Sequence, residues 1–231
     1  MKKYRHLFFD LDHTLWDYDR NVQESLSELY EVYSLENLGV PSNHDFYKAF
    51  IKVNHGLWDH YDKGKIDKIT LRKERFRRIF DQLGAGTVEV PKEMEDDFMH
   101  RTSTKPHLFP YSKEILDYLN EKYDLHIITN GFDESQAKKI ASSGISNYFK
   151  LVVTSETTGH KKPDKRIFEY AMRQLKTNAE ECLMIGDNPR SDVEGARSVS
   201  IDQVYFNPMG LDIAVEATYT IQELKELEKI L

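Results

Sequence analysis

The feature that most constrains the fold of this chain is a series of short, nearly continuous apolar runs: LFF at 7–9, LHIIT at 125–129, LVVT at 151–154, CLMIG at 182–186 and QVYF at 203–206. Runs this short, rich in β-branched and aromatic residues, read as strands. Their unbroken apolar character implies burial on both faces, the condition of a parallel sheet between helix layers. The intervening segments 111–122, 133–143, 164–176 and 190–199 carry helical spacing, illustrated by Ile115, Leu116 and Leu119. This alternation predicts a doubly wound α/β domain whose sites gather beyond the carboxyl ends of its strands.

One long interval breaks the alternation. From about Asp17 to His107 no strand pattern occurs, while Leu26, Leu29, Tyr30 and Tyr33 mark one helix and Phe76, Ile79, Phe80 and Leu83 another. Breaks at Gly39–Ser42, Gly64 and Gly84–Pro91 divide the interval into about four helices. The expected organisation is an α/β core of residues 1–16 and 108–231 interrupted by an all-helical cap, residues 17–107, set over the strand ends as a lid. No internal repeat or low-complexity segment is present.

The first strand carries the most informative chemistry. In HLFFDLDHTL, residues 6–15, Asp10, Asp12 and Thr14 fall at every second position. Alternate side chains of an extended backbone leave on the same face, so the two carboxylates project together from the end of a buried strand. Like charges held together away from bulk water repel, and a divalent cation or a shared proton relieves them. A hard ion with oxygen ligands, Mg²⁺ first, is the economical choice.

Other strands end in complementary groups. LHIIT ends in Thr129, Asn130 and Gly131, which put a hydroxyl and backbone amides ahead of a helix, an anion seat. After LVVT comes SETTGHKKPDKRIF, where Lys162 precedes a proline and a helix and can neutralise an anion. After CLMIG comes GDNPRSD, with Asp187 at the strand end and Asp192 in the following turn or helix. Four successive core strands thus finish in carboxylates, Thr/Asn, Lys and carboxylates.

Composition bounds the partners. With 231 residues, 39% of them hydrophobic and 31% charged, the chain suits a soluble globular protein. Lys and Arg number 32 against 39 Asp and Glu, a net charge of −7, which argues against nonspecific binding to nucleic acid polymers. The single cysteine, Cys182, excludes an intrachain disulfide and fits a cytoplasmic location. In the N-terminal MKKYRHLFF the apolar run ends after three residues at Asp10, far short of a signal peptide, and no segment reaches a membrane-spanning length. The nine histidines show no metal-ligand spacing.

DLDHT, TNG, GHKKP and GDNPRSD, in that order, resemble the four motifs of the haloacid dehalogenase (HAD) superfamily of phosphohydrolases, and the helical insert resembles its C1 cap. The likeness spans essentially the whole chain and implies a Rossmann-like core. GDNPRSDVEGA followed by VYFNP and YTIQEL, with WDYDRN after the first motif, is similar to the pyrimidine 5'-nucleotidase branch. His13, where small or acidic residues are common, and Ser200, where a glycine is frequent, depart from the pattern without removing a catalytic group.

The resemblance implies phosphoryl transfer in two steps. Asp10 attacks phosphorus to form an aspartyl phosphate, and water releases phosphate. Asp12 protonates the leaving oxygen and later deprotonates the water. Mg²⁺ is held by Asp10, the backbone carbonyl of Asp12 and Asp187, with Asp192 binding it through water or orienting its ligands. Thr129, the Asn130 amide and Lys162 hold the phosphoryl oxygens.

The expected substrate is a small phosphorylated metabolite, in particular a pyrimidine nucleoside 5'-monophosphate. Alternatives on the same fold are a 2-haloacid dehalogenase, against which Asp12 argues, and a phosphomutase. A non-enzymatic phosphate-binding protein would not require both Asp10 and Asp187. Trp16 and Tyr18, with Trp58 and Tyr61, are candidates to stack on a base, and the basic run RKERFRR at 72–78 reads as a solvated helix face.

Overall fold

The computed structural model describes residues 4–231; the first three residues of the MKKYRHLFF run lie outside them. The chain divides into two compact units, one formed by the residues up to Tyr18 together with Pro106–Leu231, the other by Asp19–Lys105.

The first unit is built on six parallel strands: β1 (His6–Phe9), β2 (Asp124–Thr129), β3 (Phe149–Thr154), β4 (Cys182–Gly186), β5 (Asp202–Phe206) and β6 (Tyr219–Ile221). Their order is β3-β2-β1-β4-β5-β6, with β1 central. Phe9 is in register with Ile127 on one side and Ile185 on the other. Chain order therefore reverses between β1 and β4, and in an open α/β sheet the crevice at the carboxyl ends of such a pair is where ligands bind.

Alternation along the strands feeds two cores. Leu7 and Phe9 pack on one face with Leu125, Ile127, Leu183, Ile185 and helix residues Ile115, Leu116 and Leu119. Phe8 packs on the other with Ile128, Met184, Ile167, Phe168 and Ala171. The helices that supply these residues, and those of the second unit, follow in chain order: α1 (Tyr18–Val32), α2 (Asn43–Asp62), α3 (Lys68–Gln82), α4 (Met94–Ser103), α5 (Ser112–Asn120), α6 (Asp133–Ser142), α7 (Ser155–Thr158) and α8 (Lys165–Leu175).

Two expectations about the first unit are corrected, and one strand is added. LVVT is not buried on both faces: β3 is an edge strand, and Val152 is 36% exposed. The segment 190–199 is not a regular α-helix but a π-helical turn, Pro189–Glu194, running into one α turn, Gly195–Arg197. The strand β6 was absent from the apolar pattern because it is three residues long and pairs only with β5.

The second unit is all helical, comprising α1 from Asp19 onward, a 3-10 turn at Leu35–Leu38, and α2 to α4. Ser42 and Asp67 cap α2 and α3 by accepting from the amides of Asp45 and Thr70. Its core is aromatic: Phe50 lies 5.0 Å from Phe98, and Phe76 lies 5.6 Å from Phe98 and 6.1 Å from Phe46, between ring centroids.

Within RKERFRR, Lys73, Arg77 and Arg78 are exposed, as a solvated face requires, but Arg75 departs from that reading. Arg75 is buried, paired with Glu95 at 3.2 Å, and its guanidinium lies 5.0 Å from the Phe98 ring centre. A buried guanidinium needs such partners, and a carboxylate with an aromatic face supplies them. Among the described residues no helix is long and apolar enough to cross a membrane.

Candidate active site

The DLDHT segment leaves β1 as a tight turn. The Asp10 amide donates to the Ile185 carbonyl at 2.9 Å, which continues the β1–β4 pairing one residue further. The amides of Leu15 and Trp16 both donate to the Leu11 carbonyl, at 3.0 and 2.8 Å. The turn puts His13 at φ +62°, a left-handed conformation in which His, Asn and Asp are enriched over other side chains. The ring of His13 packs 4.6 Å from that of Tyr18.

Asp10, Asp187 and Asp192 offer carboxylate oxygens that all lie within 4.8 Å of one another, the one such acidic group found among the described residues. Lys162, itself buried, reaches Asp10 at 2.9 Å and Asp192 at 2.6 Å. Thr14 donates to Asp187 at 3.0 Å. The Asn188 amide donates to the second oxygen of Asp192 at 3.0 Å, and the side chain of Asn188 accepts from the amides of Arg190 and Ser191, fixing the π-helical turn that carries Asp192. The sequence reading gives Asp192 an indirect role; in the structure its carboxylate belongs to the same cluster as the other two.

One lysine against three carboxylates, Asp192 buried and Asp10 and Asp187 largely so, leaves excess negative charge. Burial pushes Asp10 up to about 8, with Lys162 opposing and the neighbouring carboxylates of Asp192 and Asp187 adding to the rise. Burial likewise pushes Asp187 up to about 7, reinforced by Asp192 and opposed by the Thr14 hydrogen bond. Such a cluster holds protons or a cation. Its donors are all hard carboxylate oxygens, which suit Mg²⁺ or Ca²⁺ rather than a soft metal.

Asp12 is in a different environment. Lys139 donates to one of its oxygens at 2.6 Å and Gln136 to the other at 2.8 Å. Burial alone would raise its pKa, but the Lys139 ammonium and the two hydrogen bonds outweigh burial and hold it below the ordinary carboxylate range. Sequence reading missed both partners. They sit three residues apart on α6, directly after the TNG motif, where a Lys and a Gln look like ordinary surface residues of a helix.

The anion-seat residues fall at the end of β2, but with partners of their own. The Thr129 hydroxyl accepts from the Gly131 amide at 3.1 Å. The side chain of Asn130 donates to the Lys162 carbonyl at 3.0 Å and accepts from the Lys162 amide at 2.7 Å, so it fixes the backbone from which Lys162 reaches the acids.

Trp16 is corrected as a stacking candidate. It is fully buried in the core cluster of the first unit, and the Lys139 ammonium lies over its ring, 4.4 Å from the centre. Its face serves a cation, not a base. Tyr18 is half-buried, with the same ammonium 5.7 Å from its ring centre.

Comparison with known proteins finds relatives over the whole chain. A family model described as haloacid dehalogenase-like hydrolase matches residues 4–200. The chain is 30% identical to the HAD-hydrolase YfnB of Bacillus subtilis over 235 residues, covering 100% of this chain and 97% of that protein. A crystal structure of YfnB bound to magnesium superposes with a TM-score of 0.87 at 29% identity, covering 100% of this chain and 99% of that one. The chain is also similar to the pyrimidine 5'-nucleotidases PynA of Streptococcus pneumoniae, 30% identical with 97% and 93% covered, and YjjG of Escherichia coli, 29% identical with 99% and 98% covered.

Proposed function

The chain belongs to the haloacid dehalogenase-like hydrolases and is a phosphoric monoester hydrolase, and on that footing we propose that it hydrolyses a small nucleoside 5'-monophosphate bearing a pyrimidine base, through an aspartyl phosphate on Asp10. The observation that carries the mechanism is the convergence of Asp10, Asp187 and Asp192 on one point, with Lys162 bonded to two of them.

Asp10 attacks phosphorus as the bond to the leaving oxygen breaks. Asp12, two residues on in the turn that leaves β1, gives that oxygen a proton it carries against the pull of Lys139, then takes one from the water that attacks the phosphoryl group and frees Asp10. Lys162, Thr129 and the Asn130 amide hold phosphoryl oxygens. Asp10, Asp187 and Asp192, with the Asp12 carbonyl, would hold Mg²⁺, which would supply neutralisation of the repulsion between an anionic nucleophile and an anionic substrate. The pyrimidine assignment is supported by the two relatives named for that activity and by Tyr18, a half-buried aromatic ring near the Lys139 ammonium that also bonds Asp12.

A panel of phosphomonoesters assayed with and without Mg²⁺ tests the reading. Hydrolysis should require the metal, be lost in Asp10→Asn, and show higher kcat/KM for dUMP, dTMP and UMP than for sugar phosphates or p-nitrophenyl phosphate. Equal kcat/KM across the panel would sink the nucleotide assignment. Full activity of Asp10→Asn would sink the covalent one.

A further inference from the structure

The side chain of Asp12 is gripped by both oxygens. Lys139 (5% exposed) bonds one and Gln136 (1% exposed) the other. Gln136 Oε1 is left without a hydrogen-bond partner, so the amide is turned toward Asp12 at the expense of its own carbonyl. The path of Gln136 is cut into the fold as well: a Cβ built on Gly131 would lie 1.6 Å from Gln136 Nε2. The glycine of the TNG motif thus leaves room for Gln136 to cross to Asp12. Lys139 is seated in turn, its ammonium 4.4 Å from the centre of the buried Trp16 ring and 5.7 Å from that of Tyr18.

We propose that Lys139 and Gln136 are positioning residues that clamp the Asp12 carboxylate for its two proton transfers, and that Trp16 and Gly131 exist to build that clamp. The inference rests on the role given to Asp12 above. In the first transfer the proton passes from Asp12 to the leaving oxygen as its bond to phosphorus breaks. In the second, a proton passes from water to Asp12 as the water oxygen bonds phosphorus and the bond to Asp10 breaks. The phosphate is held by other groups, Thr129, Asn130 and Lys162. Loss of the clamp therefore acts on turnover and leaves binding alone.

The test uses leaving groups that differ in their need for a proton. In Lys139→Met, kcat for dUMP should fall about 30–100-fold with KM within about 3-fold of wild type, the penalty of a misplaced catalytic group. The single-turnover burst of p-nitrophenolate, which departs without a proton, should stay within about 3-fold. Lys139→Arg should recover much of the dUMP rate, and Gln136→Met should show the same leaving-group dependence as Lys139→Met. Should Lys139→Met not fold, Gln136→Met decides the matter alone.

Equal losses for the two leaving groups, or a raised KM at constant kcat, overturn the proposal. If instead Asp12→Asn retains wild-type dUMP turnover, the role of Asp12 falls, and the proposed mechanism with it. Asp12→Asn inactive beside a fully active Lys139→Met removes the clamp alone.

Discussion

Gly186 is bare where Asp192 folds back against it: a Cβ added to Gly186 would lie 2.3 Å from Asp192 Oδ2 and 2.6 Å from Asp192 Cβ. The last residue of β4 and the π-helical turn after it are thereby pressed together, and the turn delivers a buried carboxylate to Asp10 and Asp187. A π-turn widens the helix by one residue per turn, and such turns recur at functional sites.

Gly186→Ala is therefore expected to displace Asp192 without touching Asp10. Overpacking of this kind costs about 1–3 kcal/mol, and Mg²⁺ affinity should fall at least about tenfold as one ligand of the cluster moves. Urea unfolding and isothermal titration with Mg²⁺ check the two effects. Wild-type affinity in the variant would show that Asp192 is not needed at the ion.

Metal binding should expel protons. With Asp10 at about 8 and Asp187 at about 7, the cluster retains protons at neutral pH when no cation is present. Both values are raised above the unfolded range, so the folded state binds more protons than the unfolded one between about 4 and 8. Stability of the chelated protein then falls as pH rises through that window. Mg²⁺ reverses this, because it favours the ionised carboxylates. Titration calorimetry in buffers of different ionisation enthalpy should find about one proton released at pH 7 and none above pH ~9. Release that does not vary with pH would contradict the picture.

Ser200 carries a removable strain. Its φ of +63° lies in the left-handed region, and its amide donates to the Arg197 carbonyl at 2.9 Å, closing the short turn after the π-helix. That is the physical reason a glycine suits the position, and Ser pays a steric penalty there. Ser200→Gly should stabilise the protein by about 0.5–1 kcal/mol, a Tm rise of roughly 1–4 °C for a chain of this size, with kcat/KM unchanged. A thermal melt and one steady-state assay suffice to check it.

How much of this was legible in the sequence follows from chain distance. Asp10, Asp12 and Asp187 stand just beyond an apolar run and Lys162 and Asp192 in the short segments that follow one, so a linear reading of strand ends brings them to one edge of the sheet. Lys139 and Gln136 do not announce themselves, because a helix face accepts Lys and Gln anywhere. Only the fold, which joins positions 127 residues apart, gives Lys139 its carboxylate. Arg75 was misread for the same reason, since its partner Glu95 comes from another helix. Trp16 and Tyr18 read alike as aromatics near the first motif, yet burial separates them. Hydropathy also cannot register β6, too short for a period, or tell a π-turn from an α-turn over six residues.

The histidine pair at the opposite end of the central strands gives a pH dependence of opposite sign. His6 Nδ1 and His126 Nε2 lie 3.1 Å apart on β1 and β2, both buried. Burial pushes His126 down to about 4, helped by His6 and Lys150 and opposed by Asp124. His6 is lowered by burial, helped by Arg5 and Lys150 and opposed by Asp124 and Glu181. A histidine whose folded pKa lies below its unfolded value of 6.5 leaves the unfolded state with more protons between about 4 and 6.5. Its share of stability is complete above that window and is lost as pH falls through it. For His126 alone the loss is on the order of 3 kcal/mol by pH 4. His126→Gln keeps a side-chain nitrogen able to bond His6 but cannot titrate. Plotted against pH, the difference in unfolding free energy between wild type and His126→Gln should be flat from pH 7 to 8 and then fall steadily toward pH 4. A difference that stays flat to pH 4 would mean that the pair does not resist protonation.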